Sequence, residues 1–238
     1  MDYYQPDLAL VHARGYGHHA DNCAPGILGL LAPVRGGVVL ELGSGSGALT
    51  RHLLAGGHRV IATDASPAML EQARDALGAD VDLRVLALPD DPLPAADAIV
   101  SVGHVISYLP DVRAVDRALV AMAAALRPGG VLAIDVCDLE WGAIREGAEN
   151  YARVGPDWAI ITEFSTPAPD RFVRDITTFV PDGAGAWRRG SEHHENVLVD
   201  TSRIPSLLAE SGVDATVRSS FGTEELPPGL RAVTGVRR

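Results

Sequence analysis

The sequence predicts an α/β protein: a doubly wound, mostly parallel seven-stranded sheet, with a helical lid before the first strand and a small antiparallel β insert after the fifth. Three observations predict it. A β-branched apolar run, Val38-Val39-Leu40-Glu41-Leu42, stops at a glycine cluster, as a buried parallel strand does. Strand and helix signals then alternate to about residue 140, the order that a parallel sheet with crossover helices requires. From Ala159 to Val199 the chain changes to three extended runs separated by Pro-Asp and glycine-rich turns, which is antiparallel in character.

Taken in order, residues 1–35 carry an apolar helical pattern around Ile27–Leu31 and are expected to fold over the carboxyl edge of the sheet. After the first strand, Ala48–Ala55 is apolar at helical spacing and ends at Gly56-Gly57; Arg59–Thr63 follows as a second strand. Ser66 caps a helix that opens at Pro67, runs through Leu77 and stops at Gly78. Strands are expected at Asp82–Leu88, Asp97–Val102 and Val131–Val136, with a helix over Arg113–Leu126 ended by Arg127-Pro128-Gly129-Gly130. A helix at Ile204–Ser211 and strands at Ala215–Arg218 and Ala232–Val236 complete the sheet. The expected organisation is one domain: lid 1–35, core 36–140, insert 141–200 and return 201–238.

Composition narrows what such a fold can do. With 47% hydrophobic and 21% charged residues among 238, the chain reads as globular and large enough for a real core. A formal charge of −11 disfavours nucleic acid and anionic membrane surfaces as partners. All 20 basic residues are Arg, which removes P-loop, pyridoxal and short-chain dehydrogenase chemistry, each of which needs a Lys. Two cysteines make neither a disulfide framework nor a Cys-rich zinc site, and no signal or membrane-spanning run is visible, so a cytoplasmic protein is expected.

The chemistry starts at Gly43-Ser44-Gly45-Ser46-Gly47. Glycines here let the backbone turn tightly and let a bulky ligand approach it, while the next helix offers free amides. Asp64, 23 residues beyond Glu41, sits at the tip of the second strand, where a carboxylate can accept both hydroxyls of a ribose. Dinucleotide and adenosyl ligands both satisfy these features.

The loop VLELGSGSG (39–47), the stretch VIATDASPAML (60–70) and the helix end LRPGG (126–130) occur in the order and spacing of the class I S-adenosylmethionine-dependent methyltransferases, which the chain resembles over roughly residues 36–140. The resemblance implies a Rossmann-like fold and S-adenosylmethionine as cofactor. It assigns Glu41, Gly43, Ser44, Gly45 and Gly47 to the methionine and ribose parts, Asp64 to the ribose, and Ala65, Ser66 and Met69 to the surroundings of adenine. Ser101, at the end of the fourth strand, joins the set. The sequence departs from the family at the third strand, where many members have Gly-Asp and this chain has Leu86-Ala87-Leu88-Pro89-Asp90-Asp91. Adenine is therefore expected on Ala87 and Leu88, or against one of the two aspartates.

Methyl transfer is an in-line displacement, so the protein aligns the nucleophile, excludes water and accepts a proton where needed. The motifs of base amino-methyltransferases and arginine methyltransferases are absent from the stretch after the fourth strand, which carries His104 instead, the candidate general base. Tyr16 and His18 in the lid and His194 in the insert are candidates for the substrate site. In Glu192-His193-His194-Glu195 neighbouring side chains alternate faces, so only one His and one Glu share a side, and no metal is expected. The expected activity is methyl transfer to an oxygen or nitrogen of a small molecule. Two alternatives stay open: a protein that binds the cofactor without catalysis, and, with less support, a nicotinamide oxidoreductase.

Overall fold

Helices α1 (Pro6–Gly15) and α2 (His18–Leu30) precede the sheet in the computed structural model, which describes residues 3–238; residues 1 and 2 of the expected lid lie outside them. The Tyr16-Gly17 elbow between these helices fits closely. A Cβ on Gly15 would meet the Trp158 ring at 2.7 Å, so the indole of the insert packs directly on the backbone of the lid.

Parallel strands β1 (Val38–Leu42), β2 (Arg59–Asp64), β3 (Asp82–Val85), β4 (Ala96–Ser101) and β5 (Leu126–Cys137) alternate with α3 (Ala48–Ala55), α4 (Pro67–Leu77) and α5 (Val112–Ala125). Strand β1 shows why its sequence is apolar throughout. Val39 faces α2 and α3 with Leu49 and Leu53, whereas Leu40 and Leu42 face α5 with Leu119 and Met122, so both faces of the sheet are covered. Asp111 caps α5 by accepting from Ala114 N at 2.7 Å, and Ser66 caps α4 as expected.

Beyond β5, α6 (Leu139–Arg145) leads to an antiparallel sheet of β6 (Tyr151–Val154), β7 (Ala159–Ala168), β8 (Arg171–Pro181) and β9 (Trp187–Val197) in that order. The chain then forms α7 (Ile204–Glu210), β10 (Val213–Arg218) and β11 (Leu230–Arg237). The large sheet has the order β10-β11-β5-β4-β1-β2-β3, with β11 antiparallel to both neighbours.

Several boundaries differ from the sequence reading. LRPGG does not close the helix: α5 ends at Ala125, and residues 127–130 form an irregularity in β5 where the register to β4 jumps from Ala96/Leu126 to Ala98/Val131. Strand β3 stops at Val85 because the chain turns there, with Asp91 accepting from Ala87 N at 2.7 Å. Helix α6 and strand β6 escaped prediction: one is seven residues long, and the other is exposed along its whole length, so neither carries a periodic signal.

In the insert, register places Ile160, Thr162 and Phe164 beside Thr178, Ile176 and Arg174, and places Phe172, Arg174 and Ile176 beside Asn196, His194 and Glu192, on one inward face. His193 lies on the opposite face, paired with Asp175 at 2.7 Å, so the Glu192–Glu195 run divides as alternation requires. Phe172 is the anchor. Only 2% exposed, it joins the core under β5 and stacks on Phe164, with Trp141 edge-on. Phe172→Ala is expected to lower stability by about 3–5 kcal/mol in urea unfolding; a loss below about 1 kcal/mol would show that the insert is held without it.

Candidate active site

The carboxyl ends of β1, β2 and β4 open on a cleft of about 700 Å³, the place where a doubly wound sheet binds its ligand. Its shape depends on missing side chains. Gly43 and Gly45 both have positive φ, at 68° and 57°, and a Cβ on Gly43 would come within 2.2 Å of Val105 Cγ2. Asp64 closes the other side, accepting from Gly45 N at 2.9 Å through Oδ2 and from Ser66 N at 2.8 Å through Oδ1. Each oxygen keeps a lone pair for a further donor.

Of the sequence-predicted cofactor residues, Gly43, Gly45, Asp64, Ala65, Ser66, Met69, Ala87 and Leu88 line this cleft. Four do not. Ser101 is 1% exposed and its hydroxyl donates to Leu42 O, tying β4 to β1. Glu41 is buried behind the loop, where Thr50 donates to it at 2.7 Å; burial pushes its carboxyl up to about 8. Ser44 is buried under the loop, and Gly47 is the left-handed residue that starts α3, against Leu77. Asp90 and Asp91 also stay out of the wall, so the end formed by Leu86, Ala87 and Leu88 offers apolar surface and main chain.

A second cavity, of about 330 Å³, lies between lid, sheet and insert. Phe164, Phe172, Ile160, Ile176 and Trp141 give it apolar walls; His12, His19, His104, Arg174 and Asn196 make it polar in places. Tyr16 and His18 line it. Its mouth is closed on one side by the Tyr16 and Tyr151 hydroxyls, 3.3 Å apart, with Arg153 over the Tyr16 ring. His194 lies outside it: its side chain is 0% exposed, enclosed by the rings of Tyr3, Tyr4 and Tyr108 and bonded to Glu192 at 2.9 Å, so it supports the wall without forming part of it.

Tyr4, His12 and Gly103 belong to both cavities and mark where they meet. One buried carboxylate organises this junction. Asp135, at the end of β5, accepts from Gly103 N at 3.0 Å, His104 N at 2.6 Å and His19 Nε2 at 2.9 Å. Among the described residues, Tyr4 (φ 55°) and His104 (φ 49°) are the non-glycine positions in the left-handed region, and both stand here. Sequence reading overlooked Arg174 and Asn196.

Burial dominates the electrostatics. It lowers His12 to about 4 and His104 to about 3, with the Arg174 charge adding to both. Unpartnered buried polar atoms cluster around the second cavity: His12 Nδ1, His104 Nδ1, Trp141 Nε1, Arg174 Nε and both amide atoms of Asn196. Among the described residues no group of three or more His, Cys, Asp or Glu side chains could hold a metal ion, and no helix is long and apolar enough to cross a membrane. Asp138 caps α6 and bonds Thr201.

The class of protein follows from the fold and the glycine cleft together. Residues 39–130 match the family model described as a methyltransferase domain. The chain has the fold of S-adenosylmethionine-dependent methyltransferases. A crystal structure of one from Clostridium acetobutylicum superposes with a TM-score of 0.80 at 17% identity, covering 96% of this chain and 97% of that one. A sugar N-methyltransferase from a Streptoalloteichus species gives 0.80 at 22% identity, over 100% and 96% of the chains. An S-adenosylmethionine-bound amino pentose methyltransferase from Micromonospora echinaspora gives 0.72 at 21%, over 99% and 98%. No curated protein sequence matches. Residues 39–130 thus resemble a methyltransferase domain, and the chain as a whole has the fold of proteins that use S-adenosylmethionine.

The lowered histidines have a pH consequence. An imidazole near 6.5 when unfolded and near 3 or 4 when folded stays neutral in the native state while the unfolded chain takes up protons. Its contribution is full above about pH 6.5 and is lost as pH falls toward the folded value. Glu41 has the opposite sign: its raised carboxyl contributes at low pH and loses that contribution as pH rises through about 8. Urea unfolding of the parent and His104→Gln between about pH 7 and 5 isolates one histidine. The variant is expected to lose less stability on acidification, by up to about 1.4 kcal/mol per pH unit. Equal slopes would place His104 in a solvated environment.

Proposed function

We propose that the protein transfers a methyl group from S-adenosylmethionine to an oxygen or nitrogen of a small polar molecule held between lid and insert. The observation that carries the proposal is the meeting of the two cavities at Gly103: one is long enough for an adenosyl ligand, the other sized for a small acceptor. The residues fit the cofactor. Gly43 and Gly45 leave room against the main chain, Asp64 has lone pairs left for two ribose hydroxyls, and Ala87 and Leu88 give a flat apolar surface for adenine. When bound, the cofactor supplies the activated methyl on its sulfonium.

The rest is done by this chain. Tyr16, Tyr151 and Arg153 close the acceptor cavity against water, while aromatic faces and unpartnered polar atoms orient the ligand within it. The sugar N-methyltransferase and amino pentose methyltransferase among the similar structures act on ligands of that kind, and a hydroxylated or amino-bearing ring suits walls of this mixed character. His104 is a poor base, because an imidazole pushed to about 3 has little affinity for a proton near neutrality. His19 also lines the cavity, fixed through Nε2 to Asp135, and is the residue we propose to receive a proton from the acceptor.

Calorimetry tests the reading. S-adenosylhomocysteine is expected to bind and NAD is not, and Asp64→Ala should weaken binding by about 1–3 kcal/mol while circular dichroism stays unchanged. Heat with NAD alone would restore the oxidoreductase alternative. With an acceptor in hand, His19→Ala should cost about 10²–10⁴-fold in turnover and leave S-adenosylhomocysteine affinity intact. No turnover across a panel of amino and neutral sugars would favour a binding protein without catalysis.

A further inference from the structure

Arg174 rises from the inward face of β8 at the junction of the two cavities, and among the described residues its charge has no counterion. Its Nη2 donates to the Tyr108 hydroxyl, which in turn lies 3.0 Å from the Tyr4 hydroxyl. Its Nε is buried without a partner. Among the described residues no carboxylate forms an ion pair with it. The acidic groups on the elements around it are spent elsewhere: Asp135 on Gly103 N, His104 N and His19, and Glu192 on Tyr4 N, Gln5 N and His194. Its partners in this chain are hydroxyls, and burial raises that of Tyr108 well above the usual range. Histidines 12, 104 and 194 face the same guanidinium and are held neutral by burial, with its charge adding to the effect.

A desolvated cation with no counterion is costly, and a ligand that brings the anion removes the cost. A second observation points the same way. Asn196 lies on the same inward face of β9, 0% exposed, with neither its amide oxygen nor its amide nitrogen partnered. The inner face of the insert thus presents a guanidinium and an unsatisfied amide to the space where cofactor and acceptor would meet.

We propose that Arg174, oriented by Tyr108, seats a carboxylate at the junction of the two cavities. This rests on the methyltransferase reading above. Two ligands can present that carboxylate: the methionine end of the cofactor, because Tyr108 lines the cofactor cleft together with Gly43 and Gly103, or the acceptor, because Arg174 itself lines the acceptor cavity. In either case the insert supplies a binding group to the reaction centre and is more than an edge that adds core. A carboxylate also suits this arginine, whose unpartnered Nε can donate to one of its oxygens.

Calorimetry on the full chain separates the two sources. S-adenosylhomocysteine is compared with S-adenosyl-3-thiopropylamine, the same molecule without its carboxylate, in the parent, Arg174→Met and Arg174→Lys. If the cofactor supplies the anion, the parent prefers S-adenosylhomocysteine. Arg174→Met then weakens it by about 10–100-fold, leaves the decarboxylated compound unchanged, and Arg174→Lys recovers part of the loss. The unchanged ligand doubles as the control for folding. If the acceptor supplies it, Arg174→Met binds both thioethers as the parent does. Protein saturated with S-adenosylhomocysteine then takes up glucuronate but not glucose, and Arg174→Met loses glucuronate. Parental behaviour of Arg174→Met toward every one of these probes overturns the proposal. Failure of the parent to bind either thioether overturns the methyltransferase reading as well, and is distinguished by the absence of any signal before a variant is made.

Discussion

The side chain of Asp135 holds together three segments that the chain keeps far apart. Its carboxylate gathers the end of β5, the left-handed turn at Gly103 and His104, and the imidazole of His19 on α2. A fully buried carboxylate is tolerated because three N–H donors replace its lost water. The geometry of the junction follows from that single requirement. The turn after β4 takes the shape that points two successive amides at one anion, and the lid helix sits where its imidazole completes the set. Ser107 supports the same corner from below, accepting from Cys137 N at 3.1 Å.

Glycines do on one side of the junction what Asp135 does on the other. Gly43 brings the loop against Val105 so closely that no side chain would fit, and Asp64 fixes the far edge of the loop through Gly45 N. The result is a wall of backbone on the cofactor side and a wall of side chains on the acceptor side. The first depends on local sequence, and the second depends on which distant elements come together.

That division explains what could be read from the sequence. Val38–Leu42, the glycine loop and Asp64 signal through local composition and spacing, and the seven-stranded order grows from them. Ser101 and Glu41 were legible as neighbours of the loop, yet proximity in sequence could not show that Leu42 O and Thr50 already occupy their polar atoms. Alternation gave the two faces of β8 and β9 but not which of them is buried, so Arg174 and Asn196 stayed hidden among similar residues. His194 was misplaced for a related reason. The rings that enclose it come from Tyr3 and Tyr4, about 190 residues earlier, a contact that no window of sequence contains.

The segment from Tyr3 to Pro6 lines the cofactor cleft while fastened at both sides. Ser66 at the start of α4 donates to Tyr4 O at 2.8 Å, and the amides of Tyr4 and Gln5 donate to Glu192 on β9. A strap of main chain therefore joins the large sheet's helix to the insert across the opening. A ligand in the cleft shares its wall with a segment whose hold depends on one serine hydroxyl and one glutamate carboxylate.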